Sequence, residues 1–158
     1  MIENRYDDVE ISPKPFLRWA GGKRWFVKYL SELNNLKIKN YYEPFVGGGS
    51  VFFSLNNYKS AFLSDLNPEL IETYEAIRDN PLSVIRNLKS LRNTEEDYYR
   101  IRSTNYDCQI ERAAQFIYLN QTSFNGIYRV NKQGAFNVPY GKRDKKDIIE
   151  ESNLIVIS

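Results

Sequence analysis

Three consecutive glycines, Gly47 to Gly49, interrupt the stretch "YYEPFVGGGSVFFSL" at 41–55, and an acid, Asp65, ends the next apolar run. A glycine-rich turn between strand and helix lets backbone approach a ligand, and an acid about twenty residues on, at the end of the next strand, can hold ribose hydroxyls. Two nucleotide signatures do not fit. A dinucleotide G-x-G-x-x-G starting at Gly47 needs glycine at position 52, where this chain has Phe52, and no G-x-x-x-x-G-K-[ST] is present for a triphosphate. A nucleoside ligand without a diphosphate is left. S-adenosylmethionine meets that description, with its ribose on Asp65 and a sulfonium that tolerates Glu43 nearby. A tight turn followed by a solvated Asp65 explains the same residues, so the motif alone leaves both readings open.

The residue inventory removes other chemistries. There are 0 histidines and 1 cysteine, Cys108. Ser-His and Cys-His nucleophiles, histidine-based metal sites and an internal disulfide framework are thereby excluded, and no structural metal is expected. Carboxylates, amides, tyrosines and lysines remain as working groups. The net charge of +2 hides an uneven distribution: residues 11–31 and 129–146 carry +5 each, leaving −8 elsewhere. Such polarity suits one basic face turned toward a polyanion, although solvated surface charge also accounts for it.

The elements that must position these groups follow from periodicity and punctuation. With 158 residues, 42% hydrophobic and 27% charged, the chain has the composition of a soluble single domain with a core. No run approaches a membrane span and no leader pattern opens the chain, so the expected compartment is the cytoplasm. In "KRWFVKYLSEL", Phe26, Tyr29, Leu30 and Leu33 fall on one helical face. "NYYEPF" and "SAFLSD" read as strands, with Ser50 capping a helix at "VFFSL" between them. Asn67-Pro68, Asn80-Pro81 and Thr94 are helix starts, and "IERAAQFIYLN" is a further helix. From Gln121 to Lys146 glycine, asparagine, aromatic and basic residues replace helical periodicity. "LIVIS" at 154–158 is β-prone and predicts a strand. Strand, glycine turn, helix, strand, acid, helix is the start of a βαβ unit with a parallel sheet. A parallel strand needs neighbours and cover, so a strand at "LIVIS" marks the chain as a fragment with an exposed β edge.

Four blocks in order, "FLRWAGGKRWF" at 16–26, "EPFVGGGSVFF" at 43–53, "LSDLNPELIETYEAIRDNP" at 63–81 and "FIYLNQTSFNGIYRVNKQGAFNVPYGK" at 116–142, resemble the amino-terminal and target-recognition parts of the Dam-like (D12 class) DNA adenine N6-methyltransferases. The resemblance implies an α/β, Rossmann-like S-adenosylmethionine-dependent methyltransferase fold, incomplete at the C-terminus, with a helical and hairpin target-recognition insertion. It divides the chain into a first cofactor-binding part at 1–80, a DNA-binding subdomain at 81–146 and a return to the core at 147–158. It further implies that Trp19 and Lys23 line the S-adenosylmethionine pocket, that the turn of Phe45, Gly47, Gly49 and Ser50 wraps the methionine portion, and that Asp65 binds the ribose. On the DNA side, Phe124 would enter the base stack, Asn125 would contact the orphaned base, Arg129 would read a guanine and Arg18 another base. Lys142 and Arg143, with Lys145 and Lys146, would hold phosphates. Gln121, Thr122 and Ser123 are candidates to alter flanking preference around a GATC-like site.

The family aligns the adenine amine with an Asp-Pro-Pro-Tyr type motif, and none of the 6 prolines here is adjacent to another. No catalytic residue is therefore expected in this chain, which is expected to be inactive alone and to need a separate C-terminal chain. The implied function is site-specific methyl transfer to adenine N6 in duplex DNA, as in restriction-modification or solitary methylation. A DNA-binding remnant or split-enzyme subunit without chemistry is the alternative. A nicotinamide oxidoreductase is disfavoured by Phe52, and an RNA methyltransferase by the blocks at 116–142.

Overall fold

Asn67 and Pro68 start α2 as their chemistry dictates: the Asn67 side chain accepts the Leu70 amide at 3.2 Å and the proline occupies the first helical turn of Pro68–Asp79. In the computed structural model, which describes residues 12–30, 35–142 and 148–158, the other helices are α1 (Arg24–Val27), α3 (Pro81–Ser90), α4 (Glu95–Ser103), α5 (Gln109–Thr122) and α6 (Glu151–Val156). Thr94 caps α4 by accepting the Asp97 amide, and Pro81 opens α3. Two parallel strands, β1 (Ile38–Glu43) and β2 (Tyr58–Leu63), pair in a register that sets Ile38 against Tyr58 and Glu43 against Leu63. The chain is thus a mixed α/β structure with a small parallel sheet.

The crossover from β1 to β2 at 44–57 holds only a 3-10 turn at Phe52–Ser54, not the helix that Ser50 is expected to cap. Ser50 is buried and Val51 stands at the cap position, where the Ser54 amide donates to Val51 and the Leu55 amide to Phe52, three residues back in each case. The face expected of α1 is also corrected. Phe26 and Tyr29 are exposed, Leu30 is buried, and Leu33 lies outside the described residues.

"LIVIS" is not a strand. Its first residues close α6, where the Leu154 and Ile157 amides donate back to Glu150 and Asn153. Leu154 is fully buried, while the Asn153 side chain bonds the Lys14 backbone twice, at 2.9 Å each way. β propensity is a weak preference that tertiary context overrides, and here a helical turn puts Leu154 into the core, leaves Ile155 and Val156 exposed and satisfies the backbone locally.

One hydrophobic cluster joins Phe16, Leu17, Val46 and Phe53 to the inner faces of α2, α3, α4 and α5 and to Leu154. Each fully buried aliphatic side chain, such as Leu70, Val84 or Ile117, contributes about 1.5–3 kcal/mol. Helix α5 runs through the middle of this cluster and is buried continuously from Phe116 to Thr122. Among the described residues no helix is long and apolar enough to cross a membrane.

Candidate functional site

The glycine turn is held from below and closed from above. Gly47 and Gly49 adopt φ of +49° and +68°, the left-handed region that side chains rarely tolerate. The Gly47 amide donates to Asp65 Oδ2 at 3.0 Å, and the Asn67 amide donates to Asp65 Oδ1 at 3.0 Å. An ionised carboxylate has about four lone-pair sites, so Asp65 keeps acceptor capacity for hydroxyls after both bonds. Tyr74 donates its hydroxyl to the Gly47 carbonyl at 3.0 Å. Above the turn sits Trp19: a Cβ added to Gly47 would lie 2.6 Å from the indole Cδ1, and one on Gly48 would lie 3.1 Å from the Trp19 Cβ.

A cavity of about 250 Å³ opens here, lined by Leu17, Arg18, Trp19, Gly22, Gly48 and Ser50 together with Arg24. It brings together Arg18, Trp19 and Ser50 of the expected residues. Gly47, Gly49 and Asp65 are not in its lining, Asp65 standing behind the turn on the Gly47 amide; Phe45 is exposed away from the cavity lining, and Lys23 turns back to donate to the Gly21 carbonyl at 2.7 Å. A larger groove of about 850 Å³ runs between the 12–16 segment and 148–154 and shares Arg24 and Ser50. Volume favours that groove, but Gly48 of the glycine turn and Trp19 line the smaller cavity.

Beside the turn, Glu43 accepts the Tyr41 hydroxyl at 2.6 Å. Burial raises the Glu43 pKa, against the Tyr41 hydroxyl and the Phe52 amide, which favour the charge. Tyr74 is pushed far up by burial and by the charges of Glu43 and Asp65, so it stays a hydrogen-bond donor. Tyr74 does not stand out in the sequence; only the fold brings it under the turn, 27 residues from Gly47. Among the described residues no group of three or more His, Cys, Asp or Glu is placed to hold a metal ion.

The second set of expected residues stands on the C-terminal end of α5. Phe124 and Asn125 are exposed on a 3-10 turn, with Asn125 at φ +56°, a conformation asparagine tolerates better than most residues. The turn is anchored by the Phe124 amide, which donates to the Pro139 carbonyl at 2.9 Å, and by an antiparallel bridge between Ser123 and Tyr140. A second bridge, Val130 to Phe136, closes a short hairpin. Arg129 is exposed on that hairpin and donates from Nε to Asn137 Oδ1 at 2.8 Å. Lys142 has φ +49°, while Arg143, Lys145 and Lys146 lie outside the described residues. Gln121, Thr122 and Ser123 are buried; Gln121 donates to the Phe16 carbonyl at 2.6 Å and Thr122 to the Tyr118 carbonyl of its own helix at 2.7 Å, so these side chains face the interior and not flanking bases.

Both sets meet at residues 16–19. Asn120 grips the Arg18 backbone at both ends, accepting its amide at 2.8 Å and donating to its carbonyl at 2.7 Å. The Arg18 side chain crosses Gly126, where an added Cβ would lie 2.3 Å from the arginine Cδ. Trp19 stacks on Tyr128 at 5.6 Å and on Phe116 at 6.3 Å between centroids.

Known proteins resemble this chain over most of its length. The chain is 41% identical over 167 residues to the Type II methyltransferase M.MjaIII of Methanocaldococcus jannaschii, covering 92% of this chain and 58% of that protein. It is 38% identical to the Type II methyltransferase M1.LlaDCHI of Lactococcus lactis subsp. cremoris, over 94% of this chain and 55% of the relative. It is 37% identical to a DNA adenine methylase of Vibrio cholerae, over 84% of this chain and 49% of the relative. The chain therefore spans about half the length of the curated relatives it matches. The family model for D12 class N6 adenine-specific DNA methyltransferases matches residues 19–158, and the chain belongs to that family.

Proposed function

We propose that this chain carries the cofactor turn and the DNA-reading hairpin for methyl transfer from S-adenosylmethionine to adenine N6 in duplex DNA. The observation that supports this best is the meeting of Arg18 and Trp19 with both the glycine turn and the Phe124–Gly126 turn. In this reading residues 1–80 belong to a Rossmann-like cofactor-binding part and 81–146 to target recognition.

S-adenosylmethionine, when bound, supplies an electrophilic methyl group on its sulfonium. The residues of the chain bind and orient. Asp65 offers its remaining lone pairs to the ribose hydroxyls, while Trp19, Gly47, Gly49 and Ser50 enclose the amino-acid portion; Lys23 and Phe45 are assigned to the same pocket by the family resemblance, the Lys23 amine being turned onto the Gly21 carbonyl and Phe45 standing outside the cavity lining. Glu43 places negative charge near the sulfonium. Leu66, 89% exposed directly after Asp65, offers an apolar face to the base attached to that ribose.

On DNA, Phe124 fills the stack vacated by the target base and Asn125 bonds the orphaned partner. Arg129 reads guanine through O6 and N7, Arg18 reads a second base, and Lys142 and Arg143 hold phosphates. The amine of adenine is a poor nucleophile because its lone pair is conjugated with the ring, so aligning it is most of the catalysis. The sequence holds no Asp-Pro-Pro-Tyr, and that alignment is not assigned to a residue of this chain. A second reading is a chain that binds DNA without its own catalysis, through the exposed Phe124, Asn125 and Arg129.

Calorimetric titration of the chain with S-adenosylhomocysteine and, separately, with NAD tests the proposal, together with anisotropy on a GATC-containing duplex. Saturable binding of the homocysteine compound and of the duplex, with none for NAD, is expected. Preference for NAD sinks the cofactor assignment. Duplex binding without any nucleoside binding leaves the second reading standing alone.

A further inference from the structure

Tyr128 bridges Trp19 of the cofactor cradle and the first turn of α2. Its ring stacks on Trp19 with centroids 5.6 Å apart and planes 24° from parallel, and packs against Phe116 at 5.4 Å and Phe136 at 5.9 Å. Its hydroxyl donates to Glu69 Oε2 at 2.8 Å, in the first turn of α2. That helix is capped by Asn67, whose amide is fixed on Asp65 Oδ1. The next residue in the chain is Arg129, and the hairpin beyond is closed by the Val130 to Phe136 bridge.

We propose that Tyr128 is a positioning residue that couples occupancy of the glycine turn by S-adenosylmethionine to the setting of Arg129 for DNA; this rests on the function proposed above. A ligand that fixes Trp19 and Asp65 fixes both surfaces that hold Tyr128. Ordering that ring orders the start of the reading hairpin, so DNA binding next loses less conformational entropy. The coupling is reciprocal: the duplex raises cofactor affinity by the same factor by which the cofactor raises duplex affinity. Burial, and then the hydrogen bond to Glu69, push the Tyr128 phenol up to about 12, so the link stays intact across the neutral range. A merely structural Tyr128 would change stability and both separate affinities, and leave the coupling factor alone.

The test measures duplex affinity of the whole chain with and without saturating S-adenosylhomocysteine, using a fluorescein-labelled duplex containing GATC. In the unmodified chain the compound is expected to tighten duplex binding about fivefold or more. Tyr128→Leu removes the ring; each ligand still binds, and the factor falls below about twofold. Tyr128→Phe keeps the ring on Trp19 and loses the Glu69 arm, giving an intermediate factor that Glu69→Ala reproduces. In a Trp25→Phe background Trp19 is the sole tryptophan, and duplex binding shifts its emission when Tyr128 is intact and leaves it unshifted once Tyr128→Leu is added. Should Tyr128→Leu fail to fold, Tyr128→Phe and Glu69→Ala carry the test, and an unreduced factor in both overturns the inference. An unreduced factor in folded Tyr128→Leu, or no coupling in an unmodified chain that binds both ligands, overturns it equally. An unmodified chain that binds neither ligand overturns the proposed function and this inference with it.

Discussion

Tyr74 reaches back 27 residues to donate its hydroxyl to the carbonyl of Gly47 at 3.0 Å. The bond ties the middle of α2 to a point of the turn where the chain takes a left-handed conformation. A Cβ on Gly49 would come within 2.8 Å of the same hydroxyl, so Tyr74 also sets how closely α2 and the turn approach.

Replacing that hydroxyl isolates its effect. Tyr74→Phe keeps the ring, which meets Phe16 edge-on at 5.4 Å, and leaves the Gly47 carbonyl without its partner. The expected cost is about 1–2 kcal/mol in urea denaturation, with S-adenosylhomocysteine affinity reduced severalfold in calorimetry. Unchanged stability and affinity would mean that water replaces the phenol at no cost.

The glycines separate strain from contact. Gly47→Ala adds a methyl 2.6 Å from the Trp19 indole as well as a positive φ, whereas Gly134→Ala at φ +83° meets nothing within 4 Å. Backbone strain alone costs about 1–3 kcal/mol, so Gly134→Ala should fall in that range and leave nucleoside binding intact. Gly47→Ala should cost more and remove binding. Equal thermal shifts for the two variants would refute a close Trp19 lid.

How much of this is legible in the sequence depends on the range of the interaction. Asn67, Pro68 and Thr94 act on amides within three residues of themselves, so sequence places those helix starts. The tail at 154–158 misleads because its β-branched residues suggest a strand, whereas the burial of Leu154 and the bond of Asn153 to Lys14, 139 residues away, select a helix that leaves Ile155 and Val156 exposed. The clamp of Asn120 on Arg18 spans 102 residues and has no local signature. Gln121 reads as a polar loop residue beside a recognition motif, yet it belongs to the last turn of a buried helix and bonds Phe16. The blocks around Trp19, Gly47 and Asp65 are visible as motifs, while the order in which they touch is set by packing.

Glu43 gives a pH signature of definite sign. Its folded pKa is raised, chiefly by burial, so its contribution to stability is fully present below the unfolded value and is lost as pH rises through the folded value. Glu43→Gln keeps an oxygen to accept the Tyr41 hydroxyl and removes the titration. The variant should be at least as stable as the parent near neutrality and lose that advantage toward acid, read as melting temperature against pH. Asp97 runs the opposite way: the Arg100 hydrogen bond, followed by that of Thr94, lowers its pKa, so its support is lost as pH falls. A Glu43→Gln chain whose deficit grows with rising pH would show that the carboxylate is stabilised by the fold.

Arg129 and Lys142 should fail in different ways on DNA. The Arg129 guanidinium is presented on the hairpin by Asn137, which takes Nε at 2.8 Å on its side chain and Nη2 at 3.3 Å on its carbonyl. A preset fork suits bidentate contact with one guanine, and losing such a contact costs about 1–3 kcal/mol of discrimination at that base. Lys142 is a single exposed charge, and a phosphate contact carries no sequence information. Arg129→Ala should therefore lower affinity for a GATC duplex toward that for a duplex with the guanine replaced, with little further loss on the latter. Lys142→Ala should weaken both duplexes alike and reduce the slope of log affinity against log salt by about one. Asn137→Ala, which removes the side-chain half of the support, should reproduce part of the Arg129 effect while leaving the salt slope unchanged. If Arg129→Ala instead weakens both duplexes equally and lowers the salt slope, the arginine holds phosphate and the reading of guanine falls to another residue.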